Sequence, residues 1–221
     1  MKFTLSPIEA RILGCLIEKE ATTPDVYPLT LNSLLTACNQ KSNREPVMEL
    51  NSDDLETALD SLIDKTLVST WKSDRNRIAK YQHKLRHRVS DQFNFSLPEL
   101  AVLGVLFLRG PQTMGEIRTR SARIHEFDNL NAVQNVLSAL EADPDGPYAT
   151  MLPRQEGRKE PRYVHLFCGE PDEAALSDIG SRPTTTGASS RLEAVEQEVG
   201  ELKSELHELQ QRFELFIKQF E

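Results

Sequence analysis

A mainly α fold with small β-hairpins, built as two tandem copies of one unit and followed by a coiled-coil helix, is what this sequence predicts. Three observations carry it. Phe3, Ser6, Glu9, Leu13, Gly14 and Leu16 return ninety positions later as Phe93, Ser96, Glu99, Leu103, Gly104 and Leu106, a period too long for a solenoid unit and long enough for a small domain. Within each copy, apolar residues recur at three- and four-residue spacing over three stretches and then fall into two short strand-like runs. Residues 191–221 carry a further three-four apolar spacing without a break.

The first copy opens on a helix. Ser6 and Glu9 fit the capping box, in which side chains satisfy the N–H groups that a helix start leaves unpaired, and Pro7 at the first helical position sacrifices no hydrogen bond. Ile8, Ile12, Leu13, Leu16 and Ile17 form the buried stripe. Thr23-Pro24-Asp25 breaks the chain, a second short helix over 30–38 turns Leu31, Leu34 and Leu35 inward, and 39–46 is a polar, turn-rich connection. The third helix is capped by Ser52 and buries Leu55, Ala58, Leu59, Leu62 and Ile63. Strands over 68–72 and 78–82, joined by the turn 73–77, complete the unit.

The second copy keeps this order. Its first helix spans 96–108 and stops at Arg109-Gly110-Pro111; a second follows Thr113 and uses Ile117 and Ile124; a third over 131–142 buries Val133, Val136, Leu137 and Leu140. Strands over 149–152 and 163–167 flank a charged loop at 153–161. Three helices and a hairpin, with helices two and three joined by a polar turn, describe a winged helix-turn-helix domain. Two such domains are therefore expected, at 1–90 and 91–170, each with a small core.

From 171 to 190 the composition turns to Asp, Ser, Thr, Gly and Pro, too poor in large apolar groups to form a core, and reads as a flexible linker. In 191–221, Leu192, Val195, Val199, Leu202, Leu206, Leu209, Phe213, Phe216 and Phe220 form a heptad seam. Its expected role is self-association into a homo-oligomer; the alternative is one amphipathic helix docked on its own domains.

Of 221 residues, 38% are hydrophobic and 27% charged, as in a soluble globular protein. No apolar run approaches the roughly 18 residues a bilayer crossing needs, and the N-terminus lacks a basic segment followed by an apolar one, so a cytoplasmic location and no membrane partner are expected. Cys15, Cys38 and Cys168 are too few and scattered for a disulfide framework or zinc site; Cys15 reads as a small core hydrophobe. The net charge of −8 is unevenly spread: residues 191–221 carry −4, whereas 68–90 carry +6. Local charge is what a polyanion meets.

The stretch Thr22-Thr23-Pro24-Asp25-Val26-Tyr27-Pro28-Leu29-Thr30-Leu31-Asn32, followed by Ala37-Cys38-Asn39-Gln40-Lys41-Ser42-Asn43-Arg44-Glu45-Pro46-Val47, resembles the signature of the YceH-like family of bacterial proteins. In the second copy, Leu108-Arg109-Gly110-Pro111-Gln112-Thr113-Met114-Gly115-Glu116 and Leu152-Pro153-Arg154-Gln155-Glu156-Gly157-Arg158-Lys159-Glu160 look like the same family's second-domain motifs. The resemblance covers about residues 1–170. It implies a tandem winged-helix fold and brings no activity, substrate, cofactor or site residue with it.

In the usual mode of such domains the third helix enters the DNA major groove. The first copy offers Asp53, Asp54, Glu56, Asp60 and Asp64 there, which phosphates would repel. The second offers neutral Asn131, Gln134, Asn135 and Ser138, of which Gln134 and Asn135 are the chosen base-edge candidates; solvated polar positions are the alternative. The wings are the stronger candidates. Arg75 and Arg77 at the first tip, with Lys72 and Lys80 on its strands, and Arg118, Arg120, Arg123, Arg158, Lys159 and Arg162 in the second copy, suit phosphates or a minor groove. A charged edge that prevents strand-to-strand aggregation explains them equally well.

In the 39–46 turn, Lys41 and Arg44 project toward an approaching phosphate, although Asn39, Ser42 and Asn43 can form local turns that explain the string structurally. His83 and His87 have a helical ligand spacing, but Lys84, Arg86 and Arg88 around them oppose a cation. With no phosphate-binding Gly loop, nucleophile elbow or Glu-bearing zinc motif, neither enzymatic activity nor a cofactor or metal is expected. The expected function is binding of double-stranded DNA, as a transcriptional regulator. The alternative is a protein-interaction scaffold without DNA binding, which at fold level alone resembles the ScpB-like subunits of chromosome-condensing complexes.

Overall fold

The computed structural model describes residues 3–73, 76–86, 93–153 and 160–170, with the backbone alone at 73, 76 and 77. The linker at 171–190 and the seam from Leu192 to Phe220 lie outside the described residues. The helix α1 (Pro7–Thr22) begins with the expected capping box: Glu9 N donates to Ser6 Oγ at 3.2 Å and Ser6 N to the Glu9 carboxylate at 2.6 Å. The expected narrow stripe is exceeded, because every residue from Glu9 to Glu18 is buried. A helix covered on all sides lies at the centre of a molecule rather than on the surface of a small module.

A 3₁₀ turn (Pro24–Val26) and a two-residue strand β1 (Leu29–Thr30) lead into α2 (Leu31–Cys38). The helix α3 (Ser52–Asp64) buries Leu55, Ala58, Leu59 and Leu62. Its cap is Asn51, whose side chain accepts from Asp54 N at 2.8 Å, and not Ser52 as the sequence suggested. The strands β2 (Val68–Ser73) and β3 (Asn76–His83) pair antiparallel, and β1 adds to the other edge of β3 with Leu29 opposite Tyr81. The sheet order is β1-β3-β2.

The second half repeats the plan with α4 (Leu97–Arg109), α5 (Met114–Ser121), α6 (Leu130–Ala142), β4 (Ala149–Met151) and β5 (Tyr163–His165). Gly110 ends α4 at φ +66°, a conformation that glycine adopts without a Cβ penalty. Asn129, one residue outside α6, caps it by accepting from Ala132 N at 3.0 Å. Gln112 bridges to Tyr163 through both backbone bonds, at 3.0 and 2.7 Å, and so stands where β1 stands in the first half.

Two separate cores were expected; the buried apolar side chains among the described residues form one. Residues Met1–Pro171 form a single compact unit, and the buried apolar side chains of both halves belong to one cluster. The repeated glycines explain how. A Cβ on Gly14 would lie 2.8 Å from Leu108 Cγ and 3.0 Å from Phe107 Cβ, and one on Gly104 would lie 3.1 Å from Ile17 Cγ2. Since Ile17 and Phe107 are ninety positions apart, each copy's glycine receives the same position of the other copy, as in an isologous dimer. The chain ends of the unit meet as well: Leu5 N donates to Phe167 O at 2.7 Å, and Phe3 packs edge-on against Phe93 at 6.0 Å.

Candidate nucleic-acid interface

The turn at 39–46 is built as a clasp. Asn39 pairs with Leu50 through both side-chain atoms, Nδ2 to Leu50 O and Leu50 N to Oδ1, each at 2.8 Å. Arg11, on α1, reaches out to Cys38 O at 3.3 Å and Pro46 O at 2.6 Å. Arg44, expected at the surface, is 5% exposed and turned inward. Its guanidinium donates to Glu18 Oε2 at 2.7 Å, Gln40 Oε1 at 2.9 Å, Ala37 O at 3.1 Å and Asn43 O at 3.0 Å. Burial opposes ionisation of Glu18, but the hydrogen bond and charge of Arg44 outweigh it and hold the carboxyl below its ordinary range. Arg44 is therefore unavailable to a phosphate, whereas Lys41 is exposed and makes no ion pair with a described residue.

On the first hairpin, Lys72 is exposed and Lys80 half-buried. Arg75 lies outside the described residues, and Arg77 is described in backbone only. The lone tryptophan, Trp71, is 50% exposed on β2, and Ile78 is 56% exposed on β3. The α3 acids Asp53, Asp54, Glu56, Asp60 and Asp64 are all exposed. They also reach β3: burial, then the charges of Glu56 and Asp60, push the Tyr81 hydroxyl up. A polyanion meeting this hairpin therefore meets acids beside it.

In the second half most of the expected cations already have partners. Arg118 donates to Phe127 O at 3.1 Å and Asp128 O at 2.9 Å, tying the connection between α5 and α6 to α5. Glu116 takes Arg120 at 3.3 Å and Arg162 at 3.1 Å, while accepting from Thr113 N in the cap of α5. Arg162 also donates to Pro111 O at 2.6 Å, and Arg120 bonds the Gln112 side chain. Arg123 is exposed and makes no ion pair with a described residue. Arg158 and Lys159 lie outside the described residues. Asn131, Gln134, Asn135 and Ser138 are exposed along one side of α6, opposite buried Val133, Leu137 and Leu140.

His83 sits on β3 rather than on a helix, and His87 lies outside the described residues, so the helical spacing of the two carries no meaning. The His83 ring is buried: Nδ1 accepts from Leu85 N at 3.3 Å and Nε2 meets Glu20 at 2.9 Å. Its role is to join α1 to β3. Among the described residues no three His, Cys, Asp or Glu side chains converge to hold a metal ion, and no helix is long and apolar enough to cross a membrane.

Residues 5–158 match the model of a family described as a protein of unknown function, DUF480. A UPF0502 protein of Serratia proteamaculans is 45% identical over 212 residues, covering 96% of this chain and 98% of that one. A UPF0502 protein of Aliivibrio fischeri is 47% identical over 92% of this chain and 94% of its own length. The UPF0502 protein YceH of Salmonella newport is 43% identical, over 95% and 97%. The chain thus belongs to the YceH-like UPF0502 family, as its two motif stretches indicated.

Proposed function

We propose that this is a non-enzymatic, cytoplasmic protein of two fused winged-helix modules that binds double-stranded DNA and acts as a transcriptional regulator. The observation that carries the reading is the solvent side of α6. It sits at the third-helix position of a helix-helix-helix-hairpin unit and presents Asn131, Gln134, Asn135 and Ser138, followed by one acid, Glu141, in its last turn. The matching side of α3 carries five acids, so the second module reads bases and the first one grips phosphates through its hairpin, by Lys72, Arg75, Arg77 and Lys80. Arg158 and Lys159, in the charged loop of the second hairpin, add phosphate contacts. Arg44, Arg118 and Arg162 are left out of this set because their donors are engaged within the fold. The tail seam from Leu192 to Phe220 pairs two chains and so doubles the contact; removal of residue 192 onward should lower the solution mass to that of one chain, and an unchanged mass would remove self-association from the proposal.

Trp71, on the gripping hairpin, supplies the signal for the test. Titration with a mixed-sequence duplex at about 50 mM salt should change its fluorescence, and the affinity should fall steeply by about 200 mM. Exchanging Arg75 and Arg77 for Glu should abolish binding to every sequence, whereas Gln134→Ala with Asn135→Ala should weaken discrimination between sequences more than affinity. Absence of binding at the lower salt concentration would instead favour the scaffold reading, which the acidic α3 face supports.

A further inference from the structure

A cleft of about 200 Å³ opens between the two halves, where the end of α4 and the second half of α5 face α1 and the clasp. Arg109, Arg120 and Arg123 stand on its walls, and Val105, Leu108 and Ile124 supply the apolar surface. We propose that this cleft binds a small organic anion, one carboxylate or phosphate group on a short apolar body. The reading is independent of whether the protein binds DNA.

Charge is the first argument. Three arginines line one small volume, and a fourth, Arg44, pairs with the lining residue Glu18. The single carboxylate in the lining, Glu18, is already neutralised by Arg44 at 2.7 Å and approached by Lys19 at 3.5 Å. Arg109 bonds Asn43 through its side chain and feels the charges of Glu18 and Glu45. Burial first, and then the charges of Arg120 and Arg44, press its pKa down against the opposing charges of Glu18 and Glu45. Arg123 likewise makes no ion pair with a described residue, and Arg120 shares Glu116 with Arg162. The donors that Arg109 and Arg123 keep, set around a recess, suit the planar bidentate geometry of carboxylate or phosphate.

Shape is the second. The recess has room for about seven waters at ~30 Å³ each, enough for a charged group with a few carbon atoms. Three of the nine lining residues, Val105, Leu108 and Ile124, are apolar, a surface that a hydrated inorganic ion would not use and a carbon skeleton would. A duplex presents its phosphates on a convex rod and does not deliver one into a concave site of this size.

The full-length protein should bind n-butyl phosphate or glutarate saturably, one per chain by titration calorimetry, with a rise in thermal midpoint that potassium chloride at matched ionic strength does not give. Arg123→Glu, in an exposed turn, should weaken that binding at least tenfold while leaving the circular dichroism spectrum unchanged. Arg109→Gln should do the same, and Lys41→Glu, outside the cleft, should not. Inorganic phosphate should bind at least tenfold more weakly than n-butyl phosphate. No saturable binding of either organic anion up to about 10 mM would overturn the proposal, as would equal affinity for inorganic phosphate. Competition by a mixed-sequence duplex that Arg123→Glu abolishes would hand the cleft to a nucleic-acid backbone instead.

Discussion

Removing Arg44 strands the Glu18 carboxylate inside the fold, and removing Glu18 strands a guanidinium whose side chain is fully covered. Arg44→Ala should therefore cost about 3–5 kcal/mol, the usual penalty for leaving half of a buried ion pair behind, measurable as a lower denaturant midpoint. His165 supplies a second expectation. Its Nδ1 is buried without a partner, its ring packs on Phe107 at 4.8 Å, and burial pushes its pKa down from 6.5 to about 4. The unfolded chain takes up that proton near pH 6.5 and the folded one only near pH 4. The stabilising contribution is thus complete above pH 6.5 and lost as pH falls through that interval, by up to about 1.4 kcal/mol per unit. Denaturant melts between pH 6.5 and 5 should show a shallower slope for His165→Phe than for the parent; equal slopes would exclude His165 as the source. Neither residue could be read from the sequence in this role. Arg44 stands in a polar string whose Asn and Ser residues announce a turn, but the partner that pulls it inward is on another element, 26 positions away.

At the scale of elements, the crossing of α1 and α4 depends on two missing side chains. Gly14→Ala would press its methyl onto Leu108 and, more seriously, onto Phe107 Cβ, which is fixed to its backbone. The helices must separate, and a loss of about 1–3 kcal/mol is expected in thermal or chemical unfolding. Gly104→Ala meets only the branch of Ile17 at 3.1 Å and should cost less. The six α-helices and two hairpins among the described residues were legible, because capping boxes, Pro and Gly stops and three-four spacing are local signals. What escaped was non-local or too short. The two residues of β1 carry no period, and Ser52 lost the cap of α3 to Asn51 because either side chain suits the position and only backbone geometry chooses.

For the molecule as a whole, the repeat announced two modules and concealed their fusion. Ile12, Leu13, Leu16 and Ile17 read as one stripe; nothing in their spacing says that the rest of α1 would be covered by a second copy. The candidate interface was half legible for the same reason. A count of cations finds Arg118, Arg120 and Arg162 but not that Phe127 O, Asp128 O and Glu116 already engage them. Unfolding of residues 3–170 should be a single cooperative transition, with calorimetric and van't Hoff enthalpies equal; two resolved transitions would mean that the halves are energetically separate.

The reciprocal glycine contact also makes this polypeptide a natural subject for complementation. If the backbone is cut within residues 87–92, each piece keeps one complete partner for the other: a flat spot at position 14 or 104 and a filler at 17 or 107. Produced together, the pieces should reassemble without a covalent link and copurify through a tag on one of them. Either alone, with its central helix stripped of cover, should aggregate or pair with itself.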